Sequence, residues 1–462
     1  MKVVIIGGGP AGRASALELS RLNQEVTLIE KTHMGGTCLN EGCMMVCGLV
    51  DVARFLNDAK RFNEMGIIDI KSDFTYKKVA NGVKETLNKL RHVSEKEILE
   101  ANVKLIYGEG IPYEGLVKVN KQEIKYDKLI IATGARSFYP PINGAKNAIN
   151  YSDILDLEEV PKRLIIVGSG VIAAEFAGVF SSMGSEVHIL CRNQFLNVLD
   201  PEISKFVANN LLEKVNIHRN VNVKEINKDG VVTHDGKING KVLMATGMIP
   251  NSEFVGDIVK KGSRGEILVN NKMETSNPHI YAAGDVVGGV GSTPIARMEG
   301  VVAARNVIGI STQSDYRYIP HSISLDYDVA FLGPENVLSD SRENSKKNKL
   351  QKNENNKKEN EKEKNENKEK KNIVTGKIPG TAGPGSFWKV LSSQTGFTHM
   401  EVDLDSGSLE KLYSITPSAR HNMTYISMLS KLGHKTYDFD NFIESHPSTD
   451  SIYKLMRFFS KY

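Results

Sequence analysis

The chain has 462 residues, 40% hydrophobic and 7% aromatic, enough for two to four domains with their own cores. Its formal net charge of +4 is carried by residues 339–372, which hold 12 Lys/Arg against 8 Asp/Glu, so the rest is balanced and gives no case for nucleic acid or an anionic membrane. No apolar run reaches membrane-spanning length and Met1-Lys2 leads straight into Val3-Val4-Ile5-Ile6, so neither a spanning helix nor a secretory leader is expected, and a cytoplasmic setting is.

Val3 to Ile6 reads as a short buried strand. It runs into Gly7-Gly8-Gly9-Pro10-Ala11-Gly12, a G-x-G-x-x-G turn, and then into a helix carrying Ala14, Ala16, Leu17 and Leu19. Gly7 permits the tight turn, Gly9 lets backbone approach a pyrophosphate, and Gly12 lets helix close on strand. The next strand, Glu25 to Ile29, ends in Glu30, where a carboxylate can accept hydrogen bonds from ribose hydroxyls. Strand, glycines, helix and acidic strand end at these offsets predict a dinucleotide site.

Gly35-Gly36-Thr37-Cys38-Leu39-Asn40-Glu41-Gly42-Cys43 follows, with two cysteines five positions apart. Behind it Val46, Leu49, Val50, Val52, Ala53 and Phe55 keep a helical period to about Ala59, which puts the pair near a helix start. Exposed N–H groups and the macrodipole there favour a thiolate. A redox couple, two buried small residues or a structural bridge all remain open on these residues alone, although an intracellular setting disfavours the bridge. Cys47 and Cys191 complete the four cysteines.

Helical sequence continues from Phe74 to Leu99, strand-like pieces run over Val103–Tyr107 and Leu116–Val119, and a buried strand leads into Ala132-Thr133-Gly134. A second nucleotide unit opens at Leu164-Ile165-Ile166-Val167, continues through Gly168-Ser169-Gly170-Val171-Ile172-Ala173, and enters a helix from Ala174. Its next strand, Glu186 to Leu190, ends in Cys191-Arg192 rather than an acid. Arg192 suits a 2′-phosphate, or it is an ordinary solvated charge. The strand-and-turn pattern recurs at Lys241 to Gly247. Ile280 to Ala283 leads to Gly284-Asp285, and Thr293-Pro294-Ile295-Ala296 opens another helix.

From Tyr318 the texture turns to sheet, with Ser322 to Gly333 as strand sequence broken at Asp326, Tyr327 and Asp328. Residues 339–372, almost only Lys, Asn, Glu and Ser, cannot bury enough apolar surface to offset ordering and read as a disordered insertion. Strands from Trp388 to Tyr413 turn at Asp405-Ser406-Gly407, and helices run from about Ser418 to Leu432 and Asp450 to Phe459.

In this order, the motifs closely resemble the two-dinucleotide flavoprotein disulfide reductases, the family of dihydrolipoamide dehydrogenase, glutathione reductase and mercuric reductase. The resemblance implies an α/β chain with two Rossmann-like units and a C-terminal α+β dimerisation domain. Its divisions would be 1–150 for FAD with the cysteine pair, 151–275 for NAD(P), 276–317 returning to the FAD unit, and 318–462 for the homodimer interface. FAD would lie on Gly7, Gly9, Gly12, Glu30, Gly36, Thr37, Thr133, Gly134 and Asp285, and NAD(P) on Gly168, Gly170, Arg192 and Gly247. A hydride would pass from nicotinamide to flavin, the flavin would reduce Cys43, and Cys38 would exchange with a small-molecule or lipoyl-type disulfide. His446 of Ser445-His446-Pro447 would be the acid/base, supplied across the dimer, with Asp450 able to orient it only if the loop shifts.

Two departures stand out. Cys47 occupies the family's lysine position, so the matching Glu175 loses its usual partner; the expected role of Cys47 is a small buried helix residue facing the core, with a third reachable thiol as the alternative. The glutamate expected five residues after the histidine is Ser451, with Asp450 one place earlier. Leu39, and the absence of a further C-terminal cysteine pair, lean toward the dihydrolipoamide dehydrogenase branch. Arg192 leans toward NADPH and a low-molecular-weight disulfide, and a flavin/thiol redox sensor that does not turn over is the rival outside enzymes.

Overall fold

The computed structural model describes residues 1–71, 74–332, 371–379, 387–389, 391, 394–441, 443 and 452–461. The chain divides into two compact units, Met1–Asp315 and Tyr316–Tyr462.

The first unit is built on two parallel sheets. One has the strand order Ile280–Ala282, Lys128–Ile131, Lys2–Ile6, Glu25–Glu30, Lys104–Tyr107, all parallel. Its central strands are apolar on both faces because both are covered: Val3, Ile5, Leu28 and Ile130 belong to one core and Val4, Ile6, Ile29 and Ile131 to the other. Helix α1 (Pro10–Arg21) follows the first strand, with Pro10 in its first turn where a missing N–H costs nothing. The order reverses beside Lys2–Ile6, whose neighbours are the strands at 25–30 and 128–131. Ligands of such sheets bind in the crevice at that reversal.

Between the strands at 25–30 and 104–107 run α2 (Gly36–Asn40), α3 (Cys43–Glu64) and α4 (Tyr76–Glu100). The buried stripe of α3 is Met45, Val46, Leu49, Val50, Ala53, Leu56 and Ala59, and the helix outlasts the expected end at Ala59. Phe55, placed on that stripe by its spacing, is instead 62% exposed, because Leu56 takes the inward position. The second parallel sheet has the order Asn216–His218, Glu186–Leu190, Arg163–Val167, Lys241–Met244. Its first helix, α5 (Val171–Ser182), begins three residues earlier than the expected Ala174, directly after Gly170. A short α6 (Pro201–Phe206) precedes the return to the first sheet, and α7 (Thr293–Val307) closes that sheet's helical layer against α1.

The second unit centres on an antiparallel sheet ordered Pro320–Ser324, Asp328–Leu332, Ser408–Thr416, Phe397–Asp403, Ile373–Pro379. Helices α8 (Ala419–Lys431) and α9 (Ile452–Phe459) contribute Met423, Ile426, Leu455 and Phe459 to the core beneath it. Asp328, expected to interrupt a strand, starts one: it is buried and accepts from Arg420 at 3.0 Å. Residues 339–370 of the expected insertion lie outside the described residues. Its last two residues correct the expectation of disorder: Lys371 pairs with Glu410 at 2.8 Å, and the Asn372 amide donates to Asp403 at 3.2 Å, extending the strand that follows.

Candidate active site

The glycine loop after Lys2–Ile6 is shaped by backbone contact. Gly7 has φ +107, and a Cβ on Gly12 would sit 1.8 Å from the Gly7 carbonyl oxygen, so no side chain is possible at the crossing of strand and α1. Glu30 is buried at the end of its strand and accepts from the Gly8 amide at 2.6 Å and the Thr32 amide at 2.8 Å. The Thr32 hydroxyl also donates to Oε1 at 3.3 Å, so Oε2 is the oxygen that keeps capacity for another donor. A Cβ on Gly36 would stand 2.8 Å from the Gly9 Cα, so the two glycine loops approach backbone to backbone. Thr133 and Asn251 exchange hydrogen bonds of 2.7 and 3.0 Å. Gly134, next to Thr133, has φ +66 and open space where a side chain would lie. Asp285 follows the Ile280–Ala282 strand in a tight turn. Burial, and then the neighbouring Glu299, push its carboxyl up to about 6. Glu299 is itself buried and accepts from the Gly284 amide at 2.8 Å.

This cradle of bare backbone, a buried acid with one oxygen able to accept a further donor and a second acid at the far strand end fits FAD. Gly7, Gly9, Gly12, Glu30, Gly36, Thr37, Thr133, Gly134 and Asp285 would line it. The second parallel sheet repeats the turn: Gly168 has φ +140 and its Cβ would meet the Ala245 carbonyl oxygen at 2.0 Å. Gly170 caps the twelve-residue α5 with open space around it, as does Gly247 after the Lys241–Met244 strand. Arg192 is exposed just beyond Glu186–Leu190. These residues suit a nicotinamide dinucleotide.

Cys38 lies on α2 and Cys43 is the first residue of α3, with Gly42 before it. Both are free thiols, Cys38 half-buried and Cys43 exposed, and each shifts the other's acidity. The pair has one easy proton to lose. Cys38 is pulled down to about 6, first by the hydrogen bond from Cys43 and then, against its burial, by Thr293 and by Arg297. Cys43 is raised, chiefly because its proton is held by Cys38. Thr293, at the first turn of α7, brings its hydroxyl to 4.0 Å from the Cys43 sulfur.

Cys47 is exposed, which corrects the expectation of a core residue. Four positions after Cys43 it shares that residue's outward face, while α3 buries Val46, Leu49 and Val50. Glu175 is half-buried on α5 and retains an interaction partner, so loss of the lysine does not leave it alone. His446, Asp450 and Ser451 lie outside the described residues. Thr293 and Arg297 are the residues that sequence reading passes over; the only signal was Thr-Pro as a helix opening.

The family model described as pyridine nucleotide-disulphide oxidoreductase matches residues 1–300, and the chain belongs to that family. It is an FAD-dependent, pyridine-nucleotide-linked disulfide oxidoreductase. A dihydrolipoyl dehydrogenase of Buchnera aphidicola is 32% identical over 72% of this chain and 75% of its own length. A mercuric reductase of Bacillus cereus is 33% identical over 66% of this chain and 51% of that protein. An uncharacterized protein of Methanocaldococcus jannaschii, 28% identical, spans 99% of this chain and 98% of its own. Among solved structures, the HOCl-induced flavoprotein disulfide reductase RclA of Escherichia coli aligns over 99% of both chains with a TM-score of 0.80 at 24% identity. LpdA of Mycobacterium tuberculosis does so at 0.82 and 20%, likewise over 99% of both. These two likenesses speak to the fold. No helix among the described residues is long and apolar enough to cross a membrane.

Proposed function

We propose that the chain catalyses dithiol/disulfide exchange on a small-molecule disulfide in the manner of a dihydrolipoamide dehydrogenase, with Cys38 as the exchanging thiol and Cys43 as its resolving partner. The observation that carries the reading is geometric: two free thiols stand on α2 and at the start of α3, with the Thr293 hydroxyl 4.0 Å from the Cys43 sulfur. The lowered pKa of Cys38 and the raised one of Cys43 agree with it in direction. A thiolate at Cys38 attacks one sulfur of the substrate disulfide, forms a mixed disulfide and releases the first thiol. Cys43 then loses its proton and attacks the Cys38 sulfur, the mixed disulfide breaks, the second thiol leaves, and Cys38–Cys43 is oxidised as the substrate is reduced. FAD, when bound, supplies the two-electron link by which a nicotinamide restores the dithiol. Thr293 holds the pair's hydrogen-bond pattern, and His446, from the Ser445-His446-Pro447 motif, is proposed as the group that takes and returns the resolving proton. We assign 1–150 and 276–317 to FAD, 151–275 to the nicotinamide nucleotide, and 318–462 to a homodimer in the cytoplasm.

The test is a disulfide panel, including lipoamide, with NADH and NADPH as donors. Turnover that vanishes in Cys38→Ser supports the assignment. A protein whose thiols are reduced by nicotinamide but which turns over no disulfide refutes it and leaves a redox sensor. Arg192 favours a second reading of the donor: it is exposed at the strand end where an acid would repel a 2′-phosphate. On that reading NADPH is preferred, and Arg192→Ala raises KM for NADPH with little change for NADH.

A further inference from the structure

Four arginines lie along the two helices that meet beside the thiols: Arg13 and Arg21, the latter paired with Glu18, on α1, and Arg297 and Arg305 on α7. Helices α1 and α7 pack closely because Gly300 has no side chain: a Cβ there would fall 2.3 Å from the Ala11 carbonyl oxygen. The Ser15 hydroxyl donates to the Gly300 carbonyl at 2.9 Å across the same crossing. Farther from the thiols Arg305 is neutralised, its Nε donating to Glu18 at 2.7 Å. Arg13 of α1 is paired with Glu97 of α4, yet its Nε is buried with no acceptor among the described residues. Arg297 is different. It is exposed, and no hydrogen bond or ion pair engages it among the described residues.

Its position is informative. Arg297 comes one helical turn after Thr293, so both project from one face of α7, and Thr293 reaches the Cys43 sulfur. The guanidinium is near enough to Cys38 to favour its thiolate and near enough to Arg13 to oppose that residue's charge. Two cations held together, one unneutralised, at the approach to a nucleophilic sulfur form a place where an anion is favoured.

We propose that Arg297, backed by Arg13, anchors an anionic group of the disulfide substrate, so that the enzyme selects acidic low-molecular-weight disulfides over neutral or cationic ones. This rests on the disulfide-exchange reading above. Guanidinium suits the task, since it presents carboxylate or phosphate with several donors and keeps its charge at any working pH.

Three disulfides of matched reach separate charge from thiol reactivity: dithiodipropionate (dianionic), hydroxyethyl disulfide (neutral) and cystamine (dicationic). With the FAD-loaded enzyme and its preferred nicotinamide, kcat/KM is expected to fall in that order. The two charged ends should differ by at least about tenfold at low salt, the gap narrowing as salt is added. Hydroxyethyl disulfide corrects for any change in Cys38 itself. Arg297→Gln flattens the series, mainly through KM; Arg297→Glu inverts it; Arg297→Lys keeps the order. A dithiodipropionate-to-cystamine ratio that stays within about twofold of wild type in Arg297→Glu overturns the proposal while leaving disulfide exchange intact. Absence of turnover on all three and on lipoamide, with the thiols still reduced by nicotinamide, overturns the underlying reading and the proposal with it.

Discussion

The hydroxyl of Thr293 stands 4.0 Å from the Cys43 sulfur, joining residues 250 positions apart in sequence. Through that contact the first turn of α7 reaches the beginning of α3, and the hydroxyl also supports the thiolate at Cys38. Replacing Thr293 with Val removes a donor without adding bulk. The Cys38 titration should then move up from about 6 by roughly half to one unit, and the reduced protein should be alkylated more slowly near neutral pH. The pH dependence of iodoacetamide labelling measures it; an unmoved midpoint would show that the hydroxyl does not act on the pair.

The larger share of Cys38's acidity comes from Cys43. In Cys43→Ser a weaker, differently placed donor remains, and in Cys43→Ala none does. The Cys38 midpoint is expected to rise in the Ala variant toward an ordinary thiol value of about 8.5, with the Ser variant between. Equal midpoints in wild type and Cys43→Ala would mean that another group sets the acidity.

Thiol counting separates the four cysteines. Cys191 is 0% exposed and burial raises its thiol to about 11, whereas Cys47 is exposed. With the flavin stripped, the oxidised protein should offer one reactive thiol and the dithiol-reduced protein three, with the fourth appearing only on unfolding. Loss of the single thiol in Cys47→Ser identifies it. An oxidised protein with no reactive thiol would place Cys47 in a bond.

Asp285 carries a cost that can be read without any substrate. Its folded pKa, about 6, lies above the ordinary aspartate value of 3.8, so the unfolded chain ionises first and stability falls as pH rises between those values. The penalty is absent below the lower value and complete above the upper one. It amounts to at most about 3 kcal/mol. Asp285→Asn should therefore stabilise the flavin-free protein to denaturant at about pH 7.5 and leave it unchanged at about pH 3.5. It should also lower the flavin retained on purification. Equal denaturation midpoints at the higher pH would rule out the buried charge.

Both Rossmann-like units are legible in the sequence because their signals are local: a short apolar strand, glycines at fixed offsets and a helix start can be read within thirty or so residues. Glu30 is legible for the same reason. Thr293 and Arg297 are not, because only the crossing of α1 and α7 brings them to the thiols, and no short-range pattern announces that. Sequence spacing misplaces Cys47 through a question of phase. Apolar spacing locates a helix well, but its buried edge depends on what packs there, and here α5 and α4 cover the side holding Val46, Leu49 and Ala53. Phe55 fails for the same reason. His446 rests on motif alone.

The strand at Ile280–Ala282 hydrogen-bonds to Lys128–Ile131 and completes the first sheet with chain that emerges about 150 residues later. During synthesis the nascent N-terminal half must therefore wait with an open, apolar margin while the intervening unit is made. A fragment ending near residue 150 should be a sticky, chaperone-dependent species, and the cradle should become competent to load its ligand only once translation has passed Asp285.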